Sequence, residues 1–116
     1  GVIAYDNKVK ISLLDVNPQD LEQFGAVSAT VVEQMALGIK KRLGTSFALS
    51  ITGIAGPGGG TESKPVGLVY LGLADPDGNV ESYEYRFGDL RDRDTIRYLS
   101  ACNAIDRLRR KLIRSS

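Results

Sequence analysis

Apolar residues recur every three or four positions in two long segments, which is the spacing of an amphipathic helix. The first segment follows Ser28, a favourable N-cap residue, and ends in cations and Gly44. The second is capped by Asp92 or Asp94 and runs towards the end of the chain. We predict that its apolar side packs on the core and that its basic side is solvated. The apolar side comprises Ile96, Leu99, Cys102, Ile105, Leu108 and Leu112, and the basic side comprises Arg93, Arg97, Arg107, Arg109, Arg110, Lys111 and Arg114.

Shorter apolar runs predict strands. Residues 1–5 and 47–54 suit strands, and we take 47–54 as the central one. Residues 66–74 are almost uniformly apolar, which is typical of a strand covered on both faces. Residues 80–87 alternate, as a strand near a sheet edge does, and the turn residues 75–79 join these last two strands into a hairpin. Short helices are expected at 8–14 and after Asn17-Pro18, the latter as a turn or a helix stopped by Gly25. The order predicts an α/β fold, a layered α/β/α sandwich around a mixed β-sheet.

Composition narrows the function classes. A chain of 116 residues is one domain, and its net charge of +1 argues against a dedicated nucleic-acid binder. The chain has no histidine, so histidine cannot serve as an acid–base catalyst or metal ligand. We expect no metal and no cofactor. The single cysteine, Cys102, suits a reducing cytoplasm and is expected to be buried. No apolar run reaches the ~18 residues of a membrane span, and no signal peptide is visible.

The chain begins inside a predicted strand and without an initiating methionine. We therefore expect a fragment whose upstream part is missing. A missing first strand would expose a sheet edge, which favours a homo-oligomer.

A glycine-rich loop follows the strand at 47–54 and is the most informative stretch of the chain. It reads TGIAGPGGGTESKPVG from Thr52 to Gly67, and its free N–H groups could form an anion-binding concavity. The alternative is a hairpin loop that binds nothing. The phosphate motifs GxxxxGK[ST] and GxGxxG are absent, and a second strand, not a helix, follows the loop.

Four residues outside the loop suggest chemistry. Tyr5 and Lys10 flank the end of the first predicted strand, and a partly desolvated lysine can accept a proton near neutral pH. Arg93 and Arg97 lie on one side of the last helix, and arginine suits phosphate. Taken singly, each has a structural explanation: Tyr5 suits a core or rim position, and Lys10 suits a solvated helix surface.

Together these pieces resemble the C-terminal domain family of CinA, the competence/damage-inducible protein. The resemblance spans essentially the whole chain, and its most specific part is the string TGIAGPxGGT followed by KPVG. The segments that carry it are 5–10, 13–16, 24–28, 50–61, 64–67 and 88–89, with Arg93 and Arg97.

The resemblance implies an amidohydrolase that converts nicotinamide mononucleotide to nicotinate mononucleotide and ammonia, in pyridine nucleotide salvage. Family chemistry uses a serine nucleophile with lysine and tyrosine and no metal. Carried over by position, Tyr5 and Lys10 are the catalytic partners, with Lys10 as the base. The residues expected to contact substrate are Asn7, Thr52, Gly53, Gly56, Gly59, Gly60, Thr61, Lys64, Arg93 and Arg97.

The chain departs from the family pattern in two ways. Lys8 reverses the charge of a glutamate in the family's Y-S-N-E-A-K motif, and the upstream helix and strand with the E-S-C-T-G-G motif are missing. No serine here occupies the position of the nucleophile. The chain is therefore expected to be a copy that is inactive alone. Alternatives are a non-catalytic nucleotide-binding or partner-binding module and, suggested by the family name and the basic last helix, a DNA-associated role.

Overall fold

The structure is a computed structural model, and it describes residues 16–54, 67–88 and 93–115. At positions 93, 94, 96, 97, 114 and 115 the description is of the backbone. The elements are α1 (Pro18–Phe24), α2 (Ala29–Leu43), β1 (Ala48–Gly53), β2 (Leu68–Ala74), β3 (Val80–Arg86) and α3 (Arg93–Ser115). The predicted strand at 1–5 and helix at 8–14 lie outside the described residues.

The three strands form one sheet in the order β1-β2-β3, and both neighbouring pairs are antiparallel. β2 is buried at nearly every position, as its uniform apolar sequence predicts. Within the described sheet β2 is the middle strand, so the prediction that residues 47–54 form the central strand is wrong there. The apolar sequence alone does not show which of the strands predicted at 47–54 and 66–74 is the middle one, because both are flanked by turn residues and lack charges.

Helix α2 covers one face of the sheet, and its boundaries are those that its sequence predicts. The Ser28 side chain accepts a hydrogen bond from the Val31 N–H, and Gly44 ends the helix in the left-handed conformation with φ of 65°. The predicted apolar stripe is buried at Val31, Val32 and Met35. Helix α1 packs beside it: Asn17 caps α1, and the Asp20 carboxylate accepts a hydrogen bond from Gln34 of α2.

The contact between α2 and the sheet is very close. A Cβ built on Gly72 of β2 would lie 2.5 Å from both the Ser50 Oγ and the Val32 carbonyl oxygen. The Ser50 hydroxyl donates a 2.6 Å hydrogen bond to that same carbonyl. Glycine is therefore required at position 72, because any side chain would push the helix off the sheet.

Helix α3 covers the opposite face, but not with the side that its apolar pattern predicts. The residues of α3 buried against the sheet are Ser100 and Ala104, each about 3% exposed. Ile105 is 65% exposed and Leu112 is 46% exposed, and Cys102 is exposed as well. The predictions of a core-facing stripe at these three positions, and of a buried Cys102, are wrong.

Two basic residues explain the difference. Arg107 stacks over the Tyr83 ring at 4.1 Å and donates a 2.8 Å hydrogen bond to the Tyr85 hydroxyl. Lys111 donates to Glu81 at 2.8 Å and pairs with Asp75 at 3.6 Å. Beside the buried Val69 and Leu71, the sheet face beneath α3 presents tyrosines and carboxylates. Long cationic side chains can pack over these groups and pair with them, which leucine and isoleucine cannot do.

Helices on both faces of a sheet confirm the α/β fold with its layered arrangement. The described strands are all antiparallel, and the strand expected to make the sheet mixed, residues 1–5, lies outside them. The β2–β3 hairpin is as predicted: the Asp75 carboxylate accepts from the Asp77 and Asn79 N–H groups, and Gly78 has a φ of 88°. None of the helices in the described ranges is long and apolar enough to cross a membrane.

Candidate functional site

The end of β1, the start of β2 and the end of β3 lie together at one end of the sheet. The Ile54 N–H, after β1, donates to the Leu68 carbonyl at 2.9 Å, and the Gly67 N–H donates back to the Ile54 carbonyl at 2.8 Å. The Phe87 N–H, after β3, donates to the Gly67 carbonyl at 2.9 Å. Ile54 and Gly67, the residues on either side of the glycine-rich string at 55–66, therefore both lie at this end of the sheet, beside Phe87.

Two glycines allow these backbones to meet. Gly67 and Gly88 have φ values of 91° and 87°, a region that residues with a side chain rarely adopt. A Cβ on Gly67 would lie 2.5 Å from the Gly88 carbonyl oxygen. The backbones at Gly67 and Gly88 therefore lie in direct contact, and the hydrogen bond from the Phe87 N–H to the Gly67 carbonyl joins the two segments.

Both long helices begin at this same end. The Thr52 hydroxyl donates a 3.0 Å hydrogen bond to the Ala26 carbonyl, which ties the end of β1 to the segment before α2. Helix α3 starts five residues after Gly88 and runs back along the sheet until Lys111 reaches the Asp75 turn. Because a helix N-terminus carries partial positive charge, this end of the molecule is electrostatically suited to an anion.

The described part of the chain includes four of the predicted site residues. Thr52 and Gly53 end β1, and the backbone at Arg93 and Arg97 forms the first turns of α3. The structure thus brings the end of β1 and the start of α3 to one end of the sheet. The other predicted residues lie outside the described ranges, and their roles stay predictions. They are Tyr5, Asn7, Lys10, Gly56, Gly59, Gly60, Thr61 and Lys64.

The contacts of Thr52 and Gly53 within the fold limit the ways in which these two residues could bind a ligand. The hydroxyl hydrogen of Thr52 is engaged by Ala26, so this group offers a ligand its oxygen lone pairs. A Cβ on Gly53 would lie 2.9 Å from the Val69 side chain and 3.1 Å from the Leu68 carbonyl oxygen, so glycine there is explained by packing on β2. Any donor that this strand end provides to an anion is therefore a backbone N–H.

A polar row that the sequence reading missed crosses the sheet near this end. Thr52, Tyr70 and Glu84 are aligned on neighbouring strands, and the Tyr70 hydroxyl donates a 2.6 Å hydrogen bond to the Glu84 carboxylate. This bond raises the pKa of Tyr70 and lowers the pKa of Glu84, to which Arg86 adds a weaker contact at 3.4 Å. Tyr70 was detectable as the one polar side chain in an otherwise apolar strand.

Three serines of the described chain donate hydrogen bonds that hold the fold together. Ser28 donates to the Gly25 carbonyl at 2.8 Å and caps α2, and Ser50 donates to the Val32 carbonyl. Ser82 donates to the Glu33 carboxylate at 2.7 Å, between β3 and α2. Within the ranges that the structure covers, no group of three acidic or cysteine side chains could hold a metal ion.

These features define a layered α/β domain with a glycine-rich loop and two helix N-termini at one end of its sheet. The chain belongs to the CinA C-terminal domain family, whose model matches residues 1–112. It is 68% identical over 113 residues to a CinA-like protein of Gloeothece citriformis and 71% identical over 113 residues to one of Crocosphaera subtropica. Each match covers 97% of this chain and 27% of the relative, so the chain spans about a quarter of the length of these proteins.

Solved structures agree with this membership. The competence/damage-inducible protein CihA of Agrobacterium tumefaciens matches with a TM-score of 0.86 and 44% identity, covering 90% of this chain and 63% of that chain. The competence damage-inducible protein A (ComA) of Klebsiella pneumoniae matches with a TM-score of 0.90 and 29% identity, covering 97% and 68%. The predicted family and fold class are thereby confirmed.

Proposed function

We propose that this chain is an amidohydrolase domain that acts on nicotinamide mononucleotide and releases ammonia and nicotinate mononucleotide. The reaction comes from the family resemblance of the glycine-rich string and the Tyr5–Lys10 motif. The observation that carries the proposal is the meeting, at one end of the sheet, of the two ends of that string and the start of α3, which bears Arg93 and Arg97.

Substrate binding would use the charge of this end. The nucleotide phosphate is an anion, and the N-termini of α2 and α3 favour an anion there. Arg93 and Arg97 would add direct contacts, since a guanidinium binds phosphate through two parallel hydrogen bonds. Backbone N–H groups of the glycine-rich loop would complete the binding surface, because glycine lets main chain approach a ligand closely.

Hydrolysis of the carboxamide requires a nucleophile that adds to its carbonyl carbon, donors for the resulting oxyanion and a proton for the departing ammonia. Lys10 would take the proton from the nucleophile and return it to the leaving nitrogen, with Tyr5 beside it. Water then completes the reaction and releases the carboxylate. Ser28 and Ser50 are poor nucleophile candidates, because both hydroxyls are engaged in buried hydrogen bonds within the fold. The family resemblance implies that the serine nucleophile comes from a segment upstream of Tyr5.

The test is ammonia release from nicotinamide mononucleotide, measured for this chain and in parallel for the longer CinA-like protein of Gloeothece citriformis. We expect turnover by the longer relative and little by this chain. In the relative, replacing the equivalent of Lys10 by alanine should abolish turnover while leaving the fold intact. The matched control is the equivalent of Lys40, whose ammonium donates to the Pro76 carbonyl at the opposite end of the sheet.

Three results would contradict parts of this proposal. Turnover that survives loss of the Lys10 equivalent would reject Lys10 as the base. Nucleotide binding by both proteins without ammonia release would favour the non-catalytic binding module. Absence of both binding and turnover in the longer relative would overturn the proposed substrate.

A further inference from the structure

A tyrosine and a glutamate on neighbouring strands lie beside Thr52, on the sheet face that α2 covers. Thr52 of β1 is paired with Tyr70 of β2, and Tyr70 is paired with Glu84 of β3. Directly paired residues point to the same face of a sheet, and the Thr52 hydroxyl donates to the Ala26 carbonyl beside α2. The three side chains therefore cross this face as one row, at the end of the sheet where α2 begins.

The phenol ring of Tyr70 is held in place through its hydroxyl. That hydroxyl donates a 2.6 Å hydrogen bond to the Glu84 carboxylate, and the tyrosine is half-buried. The bond raises the pKa of Tyr70 and lowers the pKa of Glu84, so near neutral pH the tyrosine stays protonated and the glutamate stays ionised. An oriented aromatic ring with a carboxylate at its edge thus lies next to Thr52.

The two ends of the row suit opposite charges. Adjacent strands are about 4.8 Å apart, so the row spans about 10 Å from Thr52 to Glu84, which is comparable to the length of a mononucleotide. The N-terminus of α2, which favours an anion, lies at the Thr52 end. Glu84 lies at the other end and is 43% exposed. The row therefore leads from a surface suited to a phosphate to a surface suited to a cation.

Two further charged residues face this part of the sheet. Glu33 of α2 accepts a 2.7 Å hydrogen bond from the Ser82 hydroxyl, on the same face as Glu84. Arg86 contacts Glu84 at 3.4 Å, but both side chains are exposed and such a pair contributes little. Among these described groups the two carboxylates outnumber the one guanidinium, so a positively charged ligand group is favoured beside Tyr70.

We infer that Tyr70 and Glu84 bind the pyridinium ring of the nucleotide, while its phosphate lies at the α2 end of the row. This inference rests on the proposed function. The nicotinamide ring of the oxidised nucleotide is a cation, because its ring nitrogen is bonded to the ribose. The face of an aromatic ring attracts a cation, and a carboxylate adds to that attraction. The site therefore selects nucleotides that combine a cationic ring with an anionic phosphate.

The two residues have different parts in this contact. Tyr70 touches the ligand ring with its own ring, and Glu84 orients the tyrosine and supplies negative charge. A variant that keeps an aromatic ring at position 70 is therefore expected to keep most of the selectivity. A variant that removes the ring is expected to lose it.

The test compares two ligands that differ in the charge of the ring. Nicotinamide mononucleotide and its reduced dihydropyridine form have the same phosphate and the same carboxamide, but the reduced ring is neutral. Titration of the isotope-labelled chain with each form, followed by amide resonances, gives the two dissociation constants. We expect the oxidised form to bind about fivefold more tightly or better, which is the size of one cation–π contact with a carboxylate nearby.

Substitutions assign this preference to the two side chains. Tyr70→Leu should lower the ratio of the two constants at least about threefold, and Tyr70→Phe should retain most of it. Glu84→Gln should lower the ratio at least about twofold. Because Glu84 is exposed, this variant should fold even if Tyr70→Leu does not, and circular dichroism verifies both.

Two controls separate ring recognition from other effects. Asp77→Asn removes an exposed carboxylate at the opposite end of the sheet and should leave the ratio unchanged. Ribose 5-phosphate has no pyridine ring, so it should bind the parent, Tyr70→Phe and Glu84→Gln with the same affinity. A general loss of folding or of the phosphate site would weaken its binding as well.

The possible failures are distinguishable. Equal binding of the oxidised and reduced forms by the parent would overturn the inference and leave the proposed substrate standing. A ratio that Glu84→Gln lowers no more than Asp77→Asn does would overturn it in the same way. If the two nucleotides and ribose 5-phosphate all fail to bind, the phosphate site of the proposed function is rejected and the inference with it.

Discussion

The two faces of the sheet are covered by helices that pack on it through different kinds of contact. Under α2 the sheet presents small residues, and Gly72 lets the helix backbone come within hydrogen-bonding distance of Ser50. Under α3 the sheet presents Tyr83 and Tyr85 beside the buried Val69 and Leu71, and Arg107 packs over the two tyrosines. The contact of α2 depends on the absence of a side chain at Gly72, and the contact of α3 depends on the long side chain of Arg107.

This difference explains why one helix was predicted correctly and the other was not. Apolar periodicity identifies the buried side of α2 because its neighbours are apolar, such as Ala48 and Ala74. The same rule fails at several positions of α3, since the surface beneath it carries Tyr83, Tyr85 and carboxylates beside its aliphatic residues Val69 and Leu71. Arginine and lysine bury their stems while satisfying their charged ends, and hydrophobicity patterns do not register this.

The largest effect is expected from a variant that disturbs the close packing of α2 on the sheet. Gly72→Ala should lower the free energy of unfolding by roughly 2–4 kcal/mol, because its Cβ would overlap the Ser50 hydroxyl and the Val32 carbonyl. Chemical denaturation measures the change. The double variant Gly72→Ala with Ser50→Ala should recover part of the loss if the overlap is the cause. A single variant as stable as the parent would show that the helix can move outward at little cost.

Replacing Arg107 tests the polar contact of α3. Arg107→Ala should cost about 1–2 kcal/mol of unfolding free energy, because the stacking on Tyr83 and the hydrogen bond to Tyr85 are both lost. Arg110→Ala is the control, since its exposed ion pair with Asp106 contributes at most about 0.5 kcal/mol. Equal losses from the two variants would mean that Arg107 is not part of the core of this face.

A smaller effect is expected from the hydrogen bond between β1 and α2. Ser50→Ala removes the donor to the Val32 carbonyl and should cost about 1 kcal/mol. The exposed Ser46 gives the control Ser46→Ala, with no measurable change expected. Thermal unfolding of both variants separates the two cases, and a stabilised Ser50→Ala would indicate that the hydroxyl is crowded at this contact.

The smallest effect concerns acid stability at the far end of α3. Burial alone would raise the pKa of Asp75, but the N–H donors of Asn79 and Asp77, together with Lys111, lower it. Such a carboxyl stabilises the fold above its unfolded pKa of about 3.9 and loses that contribution as pH falls through the lower folded pKa. Asp75→Asn should therefore show a shallower loss of stability than the parent on acidification.

Unfolding curves at a series of acid pH values would measure this slope. The exposed Asp77 in the same turn provides the control Asp77→Asn, which should retain the slope of the parent. A parent and Asp75→Asn with the same slope would contradict the lowered pKa.

Much of the fold followed from local sequence signals. Ser28, Gly44 and Gly78 act at the caps and turn where their chemistry predicts, and the alternation in β3 correctly indicated an outer strand of the described sheet. These local signals did not show that β2, and not β1, is the middle strand of the described sheet, because strand neighbours depend on pairing between distant segments.

The candidate site was predictable in part. The glycine-rich string identified the loop, and its resemblance to a family identified the reaction to be tested. The position of α2, whose N-terminus lies at this same end of the sheet, was not predictable. It depends on contacts between segments distant in sequence, such as the hydrogen bond from Thr52 to Ala26. The engagement of the Thr52 hydroxyl likewise depends on a contact across 26 residues.

We propose that the end of the sheet where α2 and α3 begin binds a nucleotide phosphate. The most direct measurement is a titration of this isotope-labelled chain with nicotinamide mononucleotide, followed by the amide resonances of each residue. We predict changes at the N–H groups of Gly53, Gly67, Gly88 and the first turn of α2, and none around Asn79 or Lys41 at the opposite end. Changes confined to the opposite end, or none at saturating nucleotide, would contradict the account.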